Sequence, residues 1–182
     1  AGPNYYINTG ISKPFDPEAF RGNWRTGYEL GAGVGFMLSE KLEIIPGFHY
    51  NNFSLNDANF LADYSGEDNI FSSIVGGTTH IFDIGADLKY LVPAKNISTV
   101  TPYLIGGAGF ASHIISKKDI VTETGAFVDP KLSTQSAWAG AGIGFEFVMG
   151  KRTYLVLEGK FNVLFEEETT VYAPIRFGIL IK

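Results

Sequence analysis

Tyr28-Glu-Leu-Gly-Ala-Gly-Val-Gly-Phe-Met-Leu38 decides the fold. Tyr28, Leu30, Ala32, Val34, Phe36 and Leu38 take every second position, and Glu29, Gly31, Gly33, Gly35 and Met37 fill the gaps. A period of two places these sets on opposite faces of a β-strand, whereas a helix would need apolar spacings of three and four. One face is continuously apolar. The other holds a carboxylate and three glycines.

The same alternation recurs along the chain. Tyr5, Ile7, Thr9 and Ile11 oppose Tyr6, Asn8, Gly10 and Ser12, and Leu42, Ile44, Pro46, Phe48 and Tyr50 oppose Glu43, Ile45, Gly47, His49 and Asn51. Phe82, Ile84, Ala86, Leu88 and Tyr90 oppose Asp83, Gly85, Asp87 and Lys89. Leu104, Ala108 and Phe110 fall opposite Gly107 and Gly109, and Ala139, Ala141, Ile143, Phe145 and Phe147 opposite Gly140, Gly142, Gly144 and Glu146. Leu155, Leu157, Phe161, Val163 and Phe165 oppose Glu158, Lys160 and Asn162. In the last segment Ile175, Phe177, Ile179 and Ile181 oppose Arg176, Gly178 and Lys182. Eight strands result, without a credible long helix. Ser39–Lys41, Pro93–Val100 and Met149–Arg152 are short connections; Lys13–Trp24, Ser54–Thr78 and His113–Ser136 are long and polar, and Glu166–Thr170 is small. Short turns at one end and long loops at the other describe an antiparallel up-and-down meander.

The composition narrows the function classes. The chain has 182 residues, 14 Lys+Arg against 19 Asp+Glu, a net charge of -5 and no cysteine. This excludes disulfide scaffolds, thiolate metal sites and Cys nucleophiles, and argues against a nucleic-acid partner held by a basic face. No apolar run reaches the ~18 residues of a membrane helix. The 22 glycines, 15 Phe and 9 Tyr accompany a mean hydropathy of only +0.08, the average of two opposite faces.

Which face is inside separates a soluble ligand-binding barrel from a membrane one. Glu29, Glu43, Asp83, Asp87, Glu146 and Glu158 share the polar face with Lys89, Lys160 and Arg176 and with most of the strand glycines. Glycine weakens an exposed strand, but in a narrow lumen it makes room for large charged neighbours. Aromatics near strand ends (Tyr5, Tyr50, Tyr90, Trp138, Phe147, Phe165) suit interfacial girdles. The expected fold is therefore all-β: one eight-stranded antiparallel transmembrane β-barrel domain spanning 1–182.

The repeated segments Gly31-Ala-Gly-Val-Gly-Phe36, Thr101-Pro-Tyr103 leading to Gly107-Ala-Gly-Phe110, and Gly140-Ala-Gly-Ile-Gly-Phe145 resemble the small OmpA/OmpX-like, porin-like outer-membrane β-barrels of Gram-negative bacteria. The resemblance spans essentially the whole chain and is architectural. It implies outer-membrane localisation and lipid partners: lipopolysaccharide or another glycolipid outside, phospholipid inside; Ala1-Gly-Pro-Asn4, without an initiator Met, adds the expectation of a removed signal peptide, and the short turns put both termini on the periplasmic side. The resemblance also implies an aromatic last residue, where this sequence has Lys182.

Candidate chemistry concentrates in two places. The nine inward charges form the lumen network, expected either to plug the barrel or to line a narrow cation-preferring pore. Phe60, Leu61, Tyr64, Ile70 and Phe71 form a candidate interaction loop, open to loop packing or to docking of a protein partner. Val121–Thr124 is a candidate protruding β edge. His49, expected near Glu43, lacks a serine two residues on, and His80 and His113 lack an evident partner, so a lipid-modifying enzyme ranks third. No catalytic, cofactor or metal site is expected; the acidic stretch Asp63–Asn69 lacks a calcium-loop ligand order. The expected role is non-enzymatic: envelope structure, surface interaction or adhesion, or a subunit of a larger assembly, with a narrow pore or transporter as the alternative.

Overall fold

The structure, a computed structural model, describes residues 2–65, 71–93, 99–122 and 125–182. In chain order these form β1 (Asn4–Asp16), α1 (Glu18–Asn23), β2 (Gly27–Met37), β3 (Leu42–Phe53), α2 (Asp57–Ser65), β4 (Phe71–Gly76), β5 (Thr79–Leu91), β6 (Val100–Ile115), β7 (Lys118–Thr122), β8 (Gly125–Asp129), β9 (Leu132–Val148), β10 (Thr153–Phe165) and β11 (Thr170–Ile181). Eight of the strands close a barrel in the order β1-β11-β10-β9-β6-β5-β3-β2, and β4-β7-β8 make a separate three-stranded sheet. All pairings are antiparallel, and the barrel closes between its first and last strands, with Ile7 opposite Ile179 and Ile11 opposite Ile175. Closure removes the open sheet edges that a bilayer does not tolerate.

The two faces separate as the alternation requires. Ile7, Ile84 and Phe110 point outward and are 69%, 64% and 74% exposed, while Ser12, Glu29 and Tyr172 point inward at 0%. Exposed apolar residues encircle the wall on every barrel strand, an arrangement that lipid stabilises and water does not. The barrel strands of 11 to 17 residues reach or exceed the ~9–11 that a tilted strand needs to cross the hydrocarbon layer.

The long loops are more built than loop composition indicates. β6 and β9 run past their expected ends, pairing to Ile115↔Leu132, and the connection between them folds into the β7–β8 hairpin. That hairpin pairs through β7 with β4 of the preceding long loop. Apolar side chains at the right parity (Ile74, Ile120) let these segments bury a face against α2, so β-pairing extends beyond the membrane. The Val121–Thr124 edge falls within this sheet as far as Thr122; residues 123–124 lie outside the described residues.

One expectation about the wall is overturned. Trp138 is no girdle residue; it is 3% exposed and lies in the lumen. It shares parity with Gly140, Gly142 and Gly144, which outweighs its position near a strand end. Its Nε1–H donates to the Ile84 carbonyl at 3.3 Å.

Candidate functional site

The inward positions stack into three layers. Near the short-turn end, Glu43 accepts hydrogen bonds from Asn4 Nδ2 and the Tyr6 hydroxyl, both at 2.6 Å. Lys89 Nζ donates to the Tyr6 oxygen at 2.9 Å, sits 3.5 Å from Glu43 Oε2, and pairs with Glu146 Oε1. Lys182 closes this cluster from below, 2.7 Å from Glu146 Oε2. The Lys89 ammonium also lies 4.9 and 4.5 Å from the ring centres of Tyr6 and Tyr103, so two aromatic faces share its desolvation.

The middle layer is organised around Arg176. Its guanidinium spans two carboxylates, Nη2 to Glu29 Oε1 at 2.6 Å and Nη1 to Glu158 Oε1 at 2.9 Å. Tyr103 donates to the second Glu158 oxygen at 3.0 Å, linking this layer to the one below. His49 Nδ1 lies 3.2 Å from Glu29 Oε1. Beside them Lys160 pairs with Asp87 at 2.5 Å and stands over the Trp138 ring at 4.6 Å. Towards the loops Asp83 takes one hydrogen bond, from the Tyr172 hydroxyl at 3.3 Å, and no ion pair among the described residues.

The lumen glycines sit where these side chains need space. A Cβ at Gly107 would lie 1.9 Å from Asp87 Oδ1, and one at Gly144 would lie 2.2 Å from Tyr103 Cζ. All nine expected lumen charges thus point inward. Only one of their expected neighbours differs: His49 meets Glu29, not Glu43. Glu43 is six residues away along β3, roughly 20 Å at ~3.3 Å per residue, whereas β2–β3 register sets Gly31 opposite His49 and brings Glu29 next to it. Tyr6 lies on the face the alternation gives it, whereas the inward aromatics Tyr103 and Tyr172 escaped the sequence reading, although their parity with the charges marks them.

The packed lumen leaves a cavity of about 30 Å³ among Tyr6, Asn8, His49, Asp87, Tyr103 and Arg176. That holds about two water-sized spheres. Above it a plug of Phe20, Phe53, Ile81, Ala111, Leu164 and Tyr172 fills the bore. Phe20 comes from α1, which folds into the mouth and packs edge-on against Phe53 at 5.1 Å.

His80 and His113, expected to be unpartnered, both have partners. Tyr50 Oη lies 2.8 Å from His80 Nδ1, and Asn52 Nδ2 lies 3.1 Å from it. His113 Nδ1 lies 3.0 Å from Glu166 Oε2, which also accepts from Thr170 Oγ1 at 3.1 Å. Both pairings cross strands or connect a strand to the small loop, contacts that linear order hides. Among the described residues no serine or threonine hydroxyl is hydrogen-bonded to a histidine.

Beyond the barrel mouth, α1, α2 and the sheet β4-β7-β8 form a platform with its own core of Leu55, Phe60, Ile74 and Ile120, flanked by Trp24 and Leu61. Trp24 ties it to the loop, donating Nε1–H to the Gly77 carbonyl at 3.2 Å. Gly77 adopts φ +78°, and a Cβ there would meet Leu55 and Lys118 at 2.9 Å. Lys118 pairs with Asp129 at 2.5 Å and stands 5.0 Å over Phe60. Of the candidate interaction loop, Phe60 is therefore a buried packing residue and Leu61 is half-buried against the same core. Tyr64 lies in α2 and Phe71 opens β4, while Ile70, like 66–69 of the acidic stretch, lies outside the described residues. Among the described residues, the platform presents apolar surface at Val75, Val121, Phe127 and Val128.

No protein-family model and no curated protein sequence matches the chain. Solved structures do. Neisserial surface protein A aligns over 100% of this chain and 97% of its own at 13% identity, with a TM-score of 0.64. A major outer membrane protein of Thermus thermophilus aligns over 100% and 99% at 10% identity and 0.57. Ail, the attachment invasion locus protein of Yersinia pestis, aligns over 98% and 97% at 11% identity and 0.56, and it has also been solved in complex with the heparin analogue sucrose octasulfate. The fold is that of the small eight-stranded OmpA/OmpX-like outer-membrane barrels.

Proposed function

We propose that the protein is a non-enzymatic outer-membrane barrel whose platform is a surface-interaction module and whose lumen is a structural core. The whole of 1–182 acts as one barrel domain, with both termini periplasmic and the platform outside the cell. The observation that carries this reading is the contrast between a closed bore and an elaborated mouth. Arg176, Lys89 and Lys160 bind five of the six lumen carboxylates, and the aromatic plug caps them. A molecule built to conduct would not fill its bore this way. The loops, in contrast, form a sheet with a core of its own and present Val75, Phe127 and Val128 to solvent, at 68%, 48% and 58% exposure. Ail, named for attachment and invasion, and its complex with a heparin analogue support the surface role by analogy of fold.

The test replaces Lys118–Asp129 with a short Gly-Ser turn. The barrel should still fold, judged by its heat-modifiable gel mobility, while adhesion of bacteria displaying it to immobilised glycans and matrix proteins should fall to background. Undiminished adhesion would sink the platform reading, and discrete channel openings of the intact protein in a planar bilayer would install the pore reading in its place.

A further inference from the structure

The inward parity does not stop at the plug. β6 and β9 run on past it, and His113 and Ile115 on one strand and Leu132 and Thr134 on the other keep the face that Ala111 and Trp138 hold in the lumen. β10 ends at Phe165, opposite Ala137 of β9, so the rim is low on that side and the short connection 166–169 crosses it. Phe20 of α1 and Trp24 just after it line the remaining side. The result is a cup above the closed bore, with a cavity of about 500 Å³, a size within the range of small-molecule sites.

The cup has two chemically distinct parts. One is aromatic: the Phe20 ring lies 5.7 Å from that of Trp24 and 6.2 Å from that of His113, tilted by 51° and 58°, and Ile115 and Leu132 extend this apolar lining. The other is anionic, because Glu166, Glu167 and Glu168 follow one another along the low side. Glu166 is committed to the fold, held by His113 Nδ1 at 3.0 Å and Thr170 Oγ1 at 3.1 Å with its side chain 9% exposed. Glu167 and Glu168 are exposed and form no ion pair among the described residues. No lysine or arginine among the described residues lines the cup. Apolar walls alone would accept any hydrophobe. Carboxylates beside aromatic faces select a cation, since both attract positive charge and repel negative.

We propose that this cup binds a small organic cation, an ammonium group carried on an apolar body. The ammonium lies at Glu167 and Glu168, where charge complements charge. The apolar body lies along Phe20 and Trp24 and against Leu132. Glu166 is a positioning residue: fixed by His113 and Thr170, it holds the connection that presents the other two glutamates. Phe20 is also part of the plug, packed on Phe53, so the cation is held at the mouth and not conducted. A neutral hydrophobe of the same shape fills the walls but leaves the carboxylates unused, and an anion is repelled by them. The site shares no residue with the exposed Val75, Phe127 and Val128 of the platform, so it stands apart from the adhesive reading.

Calorimetric titration of the whole chain in phosphatidylcholine nanodiscs, with empty nanodiscs as the blank, tests it. The probes share one shape and differ in charge: phenylbutylamine, phenylbutanol and phenylbutyrate. One amine per barrel is expected, bound about tenfold or more tightly than the alcohol, with the carboxylate weakest. The double variant E167Q/E168Q should bring the amine down to the alcohol and leave the alcohol unchanged. Thr134→Phe, which narrows the cup and keeps the glutamates, should weaken amine and alcohol alike. In the Trp138→Phe protein the amine should shift the emission of Trp24, which locates it in the cup. An amine bound no more tightly than the alcohol overturns the cation assignment, and a preference that survives E167Q/E168Q overturns its placement at the rim. Absence of binding, or binding without a response from Trp24, overturns the cup as the site. Gel mobility establishes that each variant is folded. Loss of adhesion on replacing Lys118–Asp129 moves none of these readings, so the two ideas fail independently.

Discussion

The molecule has two interiors built on opposite rules. The barrel interior takes in the charges along with apolar side chains, holding Glu29, Glu43, Lys89, Glu146, Lys160 and Arg176 at or near zero exposure beside Tyr6, Tyr103 and Leu180 and beneath the plug. The platform interior, built from α2, β4, β7 and the segment that leads into α2, is an ordinary apolar cluster of Leu55, Phe60, Ile74 and Ile120. The difference follows from what lies outside each. Lipid takes the apolar face of a barrel strand, so the polar face is forced inward and must satisfy itself. The platform has water outside, and its strands turn apolar faces in.

The contrast can be broken from the barrel side first. Arg176→Ala leaves Glu29 and Glu158 facing one another without their shared cation, and stability should fall by about 3–5 kcal/mol. Urea titration in lipid vesicles, followed by the gel mobility shift, measures this; a loss under about 1 kcal/mol would mean that the network is solvated instead of paired. The matching change in the platform is Ile120→Ala, which should cost about 2–5 kcal/mol, locally. Hydrogen exchange should rise over β7 and β8 while the barrel midpoint stays put, and a fall in both would show one cooperative unit. Gly144→Ala probes the role of small lumen residues: the methyl would displace the Tyr103 ring from Glu158, at a cost of about 1–3 kcal/mol by the same titration. The smallest effect is expected at the platform rim, where Asp119→Asn removes the exposed partner of Lys117 and should change stability by less than about 1 kcal/mol.

The sequence carried the barrel interior better than the platform, for a physical reason. Period two fixes a face as soon as a strand is identified, so Glu29 or Lys160 can be placed inside without knowledge of any other strand. Who meets whom is another matter. Arg176 on β11 reaches Glu29 on β2, and these strands are not neighbours. That contact depends on the tilt and closure of the barrel, which no single segment encodes. Trp138 shows that parity outranks position along a strand when the two disagree. In the platform the apolar residues Phe60 and Leu61 stood out in the sequence, but a short polar-flanked segment does not state whether its apolar residues pack or protrude. The pairing of β4 with β7, across the whole of β5 and β6, settles it for Ile74 and Ile120.

The chain has only two tryptophans, and the fold seals one in the lumen and sets the other between the platform core and the plug. Trp138 is sealed in the lumen beneath the Lys160 ammonium, and Trp24 is anchored at the seam of the platform through Gly77. Their emission is thus a built-in pair of reporters, one for the lumen and one for the seam. With Trp138→Phe the remaining signal follows the seam where the platform meets the plug, and with Trp24→Phe it follows the lumen. A single fluorimeter can therefore ask whether something arriving from outside stirs only the surface or is felt through the wall.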